Sequence, residues 1–265
     1  MTTEFAAQAL ALLLFPGALS ILVFGLVVEG GARALLGAPD GRPLLRRARS
    51  GPRRVAPAAG GAVALLALGA TQVAVPLSPV PATEHTVFLA LSALGAAGWL
   101  LWSLAGADPA AGRLLLLGQL VWAVAVIGPA LGVGSLNPAQ VEGATLPLQV
   151  IERICAAVAY LVALPALLLL SEPEERFSAS GQVVRMLSWA PQTALFASLV
   201  LPTLRDNAAA VLLFALICVG ACLIAALVAV PLRWRPALRR RAYPQVLIGL
   251  GMLVLVFGIL AAYLP

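Results

Sequence analysis

Charge is what this chain has least of: 11% of its 265 residues are charged, against 62% hydrophobic. That leaves too little polar surface to clothe a soluble domain, so the composition implies an integral membrane protein. Lysine is absent, and all 17 basic residues are Arg. With the Ala and Gly content, this looks, in composition alone, like a GC-rich bacterial genome; the location expected is the bacterial cytoplasmic (inner) membrane, as a multi-pass protein. Histidine occurs once, at His85 beside Glu84, which argues against a metal or proton-shuttle centre because His ligands come in sets. Cys155, Cys218 and Cys222 all fall in apolar runs, where free Cys behaves as a small hydrophobe. Metal or cluster ligation by Cys218 and Cys222 lacks a third and fourth ligand.

No zinc-binding His/Glu helix, Gly-rich phosphate loop, Ser-His-Asp set or paired-Asp motif of a membrane transferase is present, which argues against autonomous catalysis. The net charge of +6 does not point to nucleic acid. The arginines sit in loops between apolar runs, with no aromatic residues interleaved.

What the chain does have is eight apolar runs, at about 5–28, 57–77, 86–106, 114–134, 147–170, 186–203, 208–232 and 243–264, each long enough to span a bilayer. The fold expected is all-α, a single membrane domain of about eight helices with both termini outside. The start Met-Thr-Thr-Glu lacks a positive n-region, so the first run is expected to be a retained helix. The sixth run is the weakest, since it contains Trp189, Pro191, Gln192 and Pro202. Kinks are expected at Pro129, Pro165 and Pro191, and close helix contacts at Gly95, Gly98, Gly249, Gly251 and Gly258.

Arginine placement sets the sidedness. The first loop holds Arg33, Arg42, Arg46, Arg47, Arg49, Arg53 and Arg54, the third Arg113, the fifth Arg176 and Arg185, and the seventh Arg233, Arg235, Arg239, Arg240 and Arg241. The even loops hold Arg205 alone. Such alternation places the odd loops in the cytoplasm.

Charges in or beside the runs are the candidate functional residues, because an ionised side chain in lipid is costly unless paired or wetted. Glu152 and Arg153 lie about one turn inside the fifth run, where an interfacial pair with Arg153 snorkelling is expected; facing an internal polar path is the alternative. Glu29 and Arg33 are spaced for an i,i+4 pair. The fifth loop, with Glu172, Glu174, Glu175 and Arg176, reads either as a solvated turn or as a partner-binding wall.

Three segments carry a family resemblance. Val28-Glu29-Gly30-Gly31-Ala32-Arg33 is followed by Gly37, Gly41, Pro43, Leu44 and Leu45; Gly134-Ser135-Leu136-Asn137-Pro138-Ala139-Gln140-Val141 follows the fourth run; and Arg233-Trp234-Arg235-Pro236 runs on to Tyr243-Pro244-Gln245. With the acidic fifth loop, these resemble the membrane anchor subunit shared by respiratory complex I (its subunit 1, or H) and the group 4 membrane-bound nickel–iron hydrogenases and formate hydrogenlyase. The resemblance implies a non-catalytic subunit of an oxidoreductase complex that holds no cofactor itself. Its partners would be soluble redox subunits carrying iron–sulfur clusters on the cytoplasmic face, antiporter-like membrane subunits, and lipid.

The docking and coupling residues so implied are Glu29, Arg33, Arg46, Arg47, Arg49, Glu172, Glu174, Glu175, Arg176 and Arg239. The family carries carboxylates in its central helices, whereas the fourth run here has Gln119 as its polar side chain of reach. The expectation is therefore that this chain carries no transmembrane proton path alone and that any pumping belongs to neighbouring subunits. A stand-alone small-molecule transporter is the rival reading; it needs midplane polar groups around broken helices, for which Gln119, Gln192 and the kinks are available. A membrane enzyme of lipid chemistry is disfavoured by the missing catalytic set.

Overall fold

The computed structural model describes residues 14, 17–36, 66–67, 86–104, 108–137, 147–173, 176–200 and 208–263. Within them the long helices are α1 (Ala18–Leu35), α2 (Val87–Leu104), α3 (Pro109–Val133), α4 (Pro147–Leu167), α5 (Ala179–Val200), α6 (Ala208–Trp234) and α7 (Tyr243–Tyr263). A π-helical turn over Leu238–Ala242 leads into α7. No strand occurs among the described residues. Six helical segments, among them Leu238–Tyr263 as one piece, are long and apolar enough to cross a membrane. The chain is a multi-pass, all-helical membrane protein.

Several boundaries differ from those expected, each for a local reason. The first helix does not stop at Val28: it runs through Glu29 and Arg33 to Leu35, because a buried partner receives the Glu29 charge. The fourth run begins earlier, at Pro109, where the Asp108 side chain accepts from the Ala110 amide at 2.9 Å as an N-cap and Pro fills the first helical position. It ends in a glycine stop. Gly134 has φ +71°, Ser135 N–H donates to Ala130 O at 3.0 Å and Gly134 N–H to Leu131 O at 3.1 Å, the paired bonds of a Schellman motif. The Gly-Ser-Leu-Asn segment is thus a helix terminator.

The fifth run ends as a helix at Leu167, short of residue 170. Beyond Pro165 the turn widens so that Leu170 N–H reaches Pro165 O, and Leu169 takes φ +50°, a strained value for a bulky side chain. The sixth helix covers 179–200 in place of 186–203 and stays helical through Pro191. The second expected run, 57–77, lies outside the described residues except for Leu66 and Ala67. The count of eight spans and the placement of both termini therefore rest on the sequence alone.

α5 is enclosed by α1, α2, α4 and α6. Trp189, Leu195, Ala197 and Val184 are fully buried on it, and Gln182, Arg185, Ser188, Gln192, Thr193 and Ser198 are buried as well. This helix is too polar for lipid and is solvated by protein instead. Its short side chains bond their own backbone: Ser188 donates to Val184 O at 2.8 Å and Thr193 to Trp189 O at 2.9 Å. The outer helices are apolar outward. On α6, Leu212, Leu216, Val219, Leu223 and Leu227 are exposed, while Ala225 and Ala229 are buried.

Glycines set the closest approaches. A Cβ on Gly118 of α3 would lie 2.8 Å from the Ala166 methyl of α4. On Gly25 of α1 it would run into the Met186 carbonyl oxygen of α5, closer than real Cβ contacts come. Gly30, on the same helix, faces open space. Gly25→Ala must therefore push α1 off α5 and is expected to cost roughly 1–3 kcal/mol. Gly30→Ala, which only improves helix propensity, should be neutral or stabilising. Thermal unfolding of the two variants in detergent separates these outcomes, and equal midpoints would remove the α1–α5 contact from the account.

Candidate functional site

Two ionic groups occupy one end of the bundle. The inner one is built around Glu29, fully buried on α1, and Arg185, which is 2% exposed on α5. Arg185 Nε–H donates to Glu29 Oε1 at 3.0 Å, and its terminal nitrogen donates to the same oxygen. The other oxygen, Oε2, accepts from Trp189 Nε1–H at 2.9 Å. Arg33, one turn along α1, adds Nε–H to Oε1 at 3.2 Å. The far side of the Arg185 guanidinium lies 4.6 Å from the ring centre of Phe177, a cation–π contact. One carboxylate thus meets two guanidinium groups and an indole in a dry setting.

The outer group ties three connections together. Asp108, which ends the α2–α3 connection, accepts from Arg176 at 2.6 Å; Arg176 also donates to Glu172 at 3.1 Å; and Glu172 accepts from Arg239 of the π-helical turn at 2.8 Å. Arg239 gives a further bond to Ser171 O at 3.1 Å. The wide turn after Pro165 aims Glu172 here, since its amide donates back to Leu169 O. The Ala110 amide, and then Arg176, hold the Asp108 carboxyl below its usual range. The third, fifth and seventh loops of the sequence reading consequently share one face, the face toward which Glu29 and Arg33 also lie.

Among the sequence-predicted residues, Glu29, Arg33, Glu172, Arg176 and Arg239 are thus gathered at this face. Arg46, Arg47, Arg49, Glu174 and Glu175 lie outside the described residues. Arg185 and Trp189 were missed. Arg185 counted only as a topogenic loop charge, and the signal that would have found it is a lone Arg four residues, about one helical turn, before a Trp-Ala-Pro-Gln stretch, inside a helix with few other charges.

Deeper along α5, Tyr160 of α4 extends the polar seam, its hydroxyl lying 2.8 Å from Gln192 O and 3.1 Å from Gln192 Oε1. Both side chains are buried, and they satisfy one another rather than opening a passage. On α2 and α3, Gln119 donates to Gly95 O at 3.0 Å, a bond between helices.

Glu152 is 1% exposed, and it inserts between α3 and α7 where three glycines make room. A Cβ at Gly128, Gly132 or Gly258 would lie 3.1, 3.0 or 2.8 Å from its carboxyl oxygens. Its Oε1 has no hydrogen-bond partner among the described residues. Arg153 does point to a different face, as neighbours on a helix must, and is half-buried. Gly258 serves helix packing as expected, a Cβ there lying 3.5 Å from Gly128 Cα of α3, and it also accommodates the Glu152 carboxyl group.

No protein-family model matches the chain, and no curated protein matches it in sequence. In fold it is similar to a chain of the membrane-bound sulfane sulfur reductase, an archaeal respiratory membrane complex. The TM-score is 0.65 at 16% identity, covering 98% of this chain and 98% of that one. At that identity the likeness is one of fold.

The two buried glutamates make opposite predictions for one substitution. Glu29→Gln strands Arg185 without its counter-charge, and loss of one partner of a buried pair costs roughly 3–5 kcal/mol. Adding Arg185→Gln should recover much of that loss, a coupling read directly from the double-mutant cycle. Glu152→Gln removes a carboxyl that lacks an ion-pair partner across the helix seam and should be neutral or stabilising. Equal destabilisation by the two single substitutions would contradict this assignment.

Proposed function

We propose that this chain is the integral-membrane subunit of a multisubunit respiratory redox complex. It seats a soluble electron-transfer module on the arginine-bearing face and adjoins further membrane subunits. The observation that carries the reading is the fold shared, end to end, with a chain of a respiratory membrane complex. The site geometry supports it. Charges are gathered and fixed at one face, as a docking platform requires, because ordered rim charges set encounter and orientation. Arg176 and Arg239 are held by carboxylates on neighbouring connections, so the surface is preformed rather than assembled on contact.

In this reading the chain itself holds no cofactor, and the iron–sulfur clusters belong to the soluble partners. The arginine face is the cytoplasmic one by the positive-inside rule, and the membrane is a bacterial cytoplasmic membrane. Coupling runs from the docked module through Glu172 and Arg176 and through the Glu29–Arg185 pair toward antiporter-like neighbours. Electrons do not pass through this chain, and it offers no complete proton path. Tyr160 and Gln192 close on each other, and Glu152 stands apart at the opposite end of the bundle.

A stand-alone small-molecule transporter is the second reading, favoured by the polar residues that α5 carries to mid-bundle depth. The mutual satisfaction of those residues speaks against it. The test is purification of the tagged chain from its native membranes. Soluble iron–sulfur subunits are expected to accompany it, and charge reversal at Arg46, Arg47 and Arg49 together should release them while the chain stays inserted. Solitary purification with solute uptake by the reconstituted chain would establish the transporter reading instead. Within an assembled complex, Glu152→Gln is expected to leave proton translocation intact, measured in proteoliposomes; its loss with electron transfer preserved would place a proton path through this chain.

A further inference from the structure

On the arginine-bearing face, between the first turns of α3 and the entry to α7, lies a cavity of about 500 Å³. Its charged lining is Arg113, Arg239, Arg240 and Glu172, and its apolar lining includes Leu114 and Leu117. Glu172 is already engaged by Arg239 and Arg176, so its charge is spent within the protein. Arg113 and Arg240 are both exposed, and no ion pair to either is present among the described residues. The cavity is therefore positive, with two guanidinium groups free to turn toward a guest.

The π-helical turn produces this arrangement. Consecutive residues on it, Arg239 and Arg240, line the same cavity, one fixed to Glu172 and the Ser171 carbonyl, the other unengaged. Short π-helical turns recur at functional sites. Below the charges the wall is leucine, and the neighbouring α3 surface continues apolar through the exposed Leu116 and Leu120. The site thus lies where a membrane-crossing helix begins, cationic at the mouth and greasy beneath. That order matches a phospholipid, whose phosphate sits at the interface and whose chains lie along the helix. A free phosphate needs no apolar wall. Guanidinium forks also fit phosphate oxygens in bidentate fashion, and basic pockets between membrane helices on the cytoplasmic side are suited to anionic headgroups.

We propose that this cavity binds the headgroup of one anionic phospholipid, clasped by Arg113 and Arg240, with Arg239 as a wall braced by Glu172. The inference does not rest on the redox-complex reading. It is tested by native mass spectrometry of the full chain in zwitterionic detergent, titrated with phosphatidylglycerol or with phosphatidylcholine of the same acyl chains. The wild type should retain phosphatidylglycerol selectively. The R113Q/R240Q variant should bind it roughly 30-fold more weakly, as expected for two arginines near an anionic headgroup. The control R233Q/R235Q, which removes two arginines of the same face outside the cavity, should leave binding unchanged.

Arg113 and Arg240 are exposed, so folding is not at stake, and R113K/R240K should retain phosphatidylglycerol in preference to phosphatidylcholine. Equal retention of the two lipids by the wild type, or equal phosphatidylglycerol retention by wild type and R113Q/R240Q, would overturn the proposal. So would uptake of inorganic phosphate without lipid, or loss of a docked soluble subunit from R113Q/R240Q with lipid binding unchanged.

Discussion

The structure depends on one buried ion pair, Glu29 with Arg185. An arginine on the central helix of a membrane bundle is tolerable only if its charge is met in place, since an ionised group in hydrocarbon is costly. Glu29 meets it from α1, Trp189 fills the second carboxylate oxygen, and Phe177 covers the remaining face. The pair need not stabilise the fold against a hydrophobic alternative. What it does is dictate the arrangement: α5 must be enclosed, α1 must lie against it, and Gly25 must allow the approach.

From that constraint the distribution of polarity follows. α5 carries Gln182, Arg185, Ser188 and Gln192 inside, so α1, α2, α4 and α6 pack around it, while α3 and α7 pack on α4 and on each other. At the arginine-bearing end, Asp108, Glu172, Arg176 and Arg239 bind three connections into one rigid rim. At the other end Glu152 is admitted to a helix seam by three glycines. Among the described residues, the arginine-bearing end is a network of ion pairs, and the Glu152 carboxyl is enclosed in an apolar helix seam.

Much of this was legible from the sequence where the cause is local. The runs over 86–106, 208–232 and 243–264 became helices close to those limits because hydropathy and length decide them. The Glu29–Arg33 and Glu172–Arg176 pairs are i,i+4 neighbours, visible from spacing. Arg185 was not legible as a site residue because its partner lies 156 positions away, and arginine counting cannot separate a topogenic charge from a structural one. The enclosure of Glu152 was not legible, because position along a helix says nothing about the glycines on two other helices that surround it. The stop near Pro165 was likewise obscured, since the apolar run continues through Leu168, Leu169 and Leu170 after the helix has ended.

The central claim is that the face organised by these ion pairs is where a soluble redox partner sits. The most direct measurement is site-specific photo-cross-linking in native membranes, with the probe placed on the arginine face at Trp234 and on the opposite face at Ser135. The account predicts cross-links to iron–sulfur-containing soluble subunits from Trp234 and none from Ser135. Cross-links to such subunits from Ser135, or from neither position in an intact complex, would contradict it.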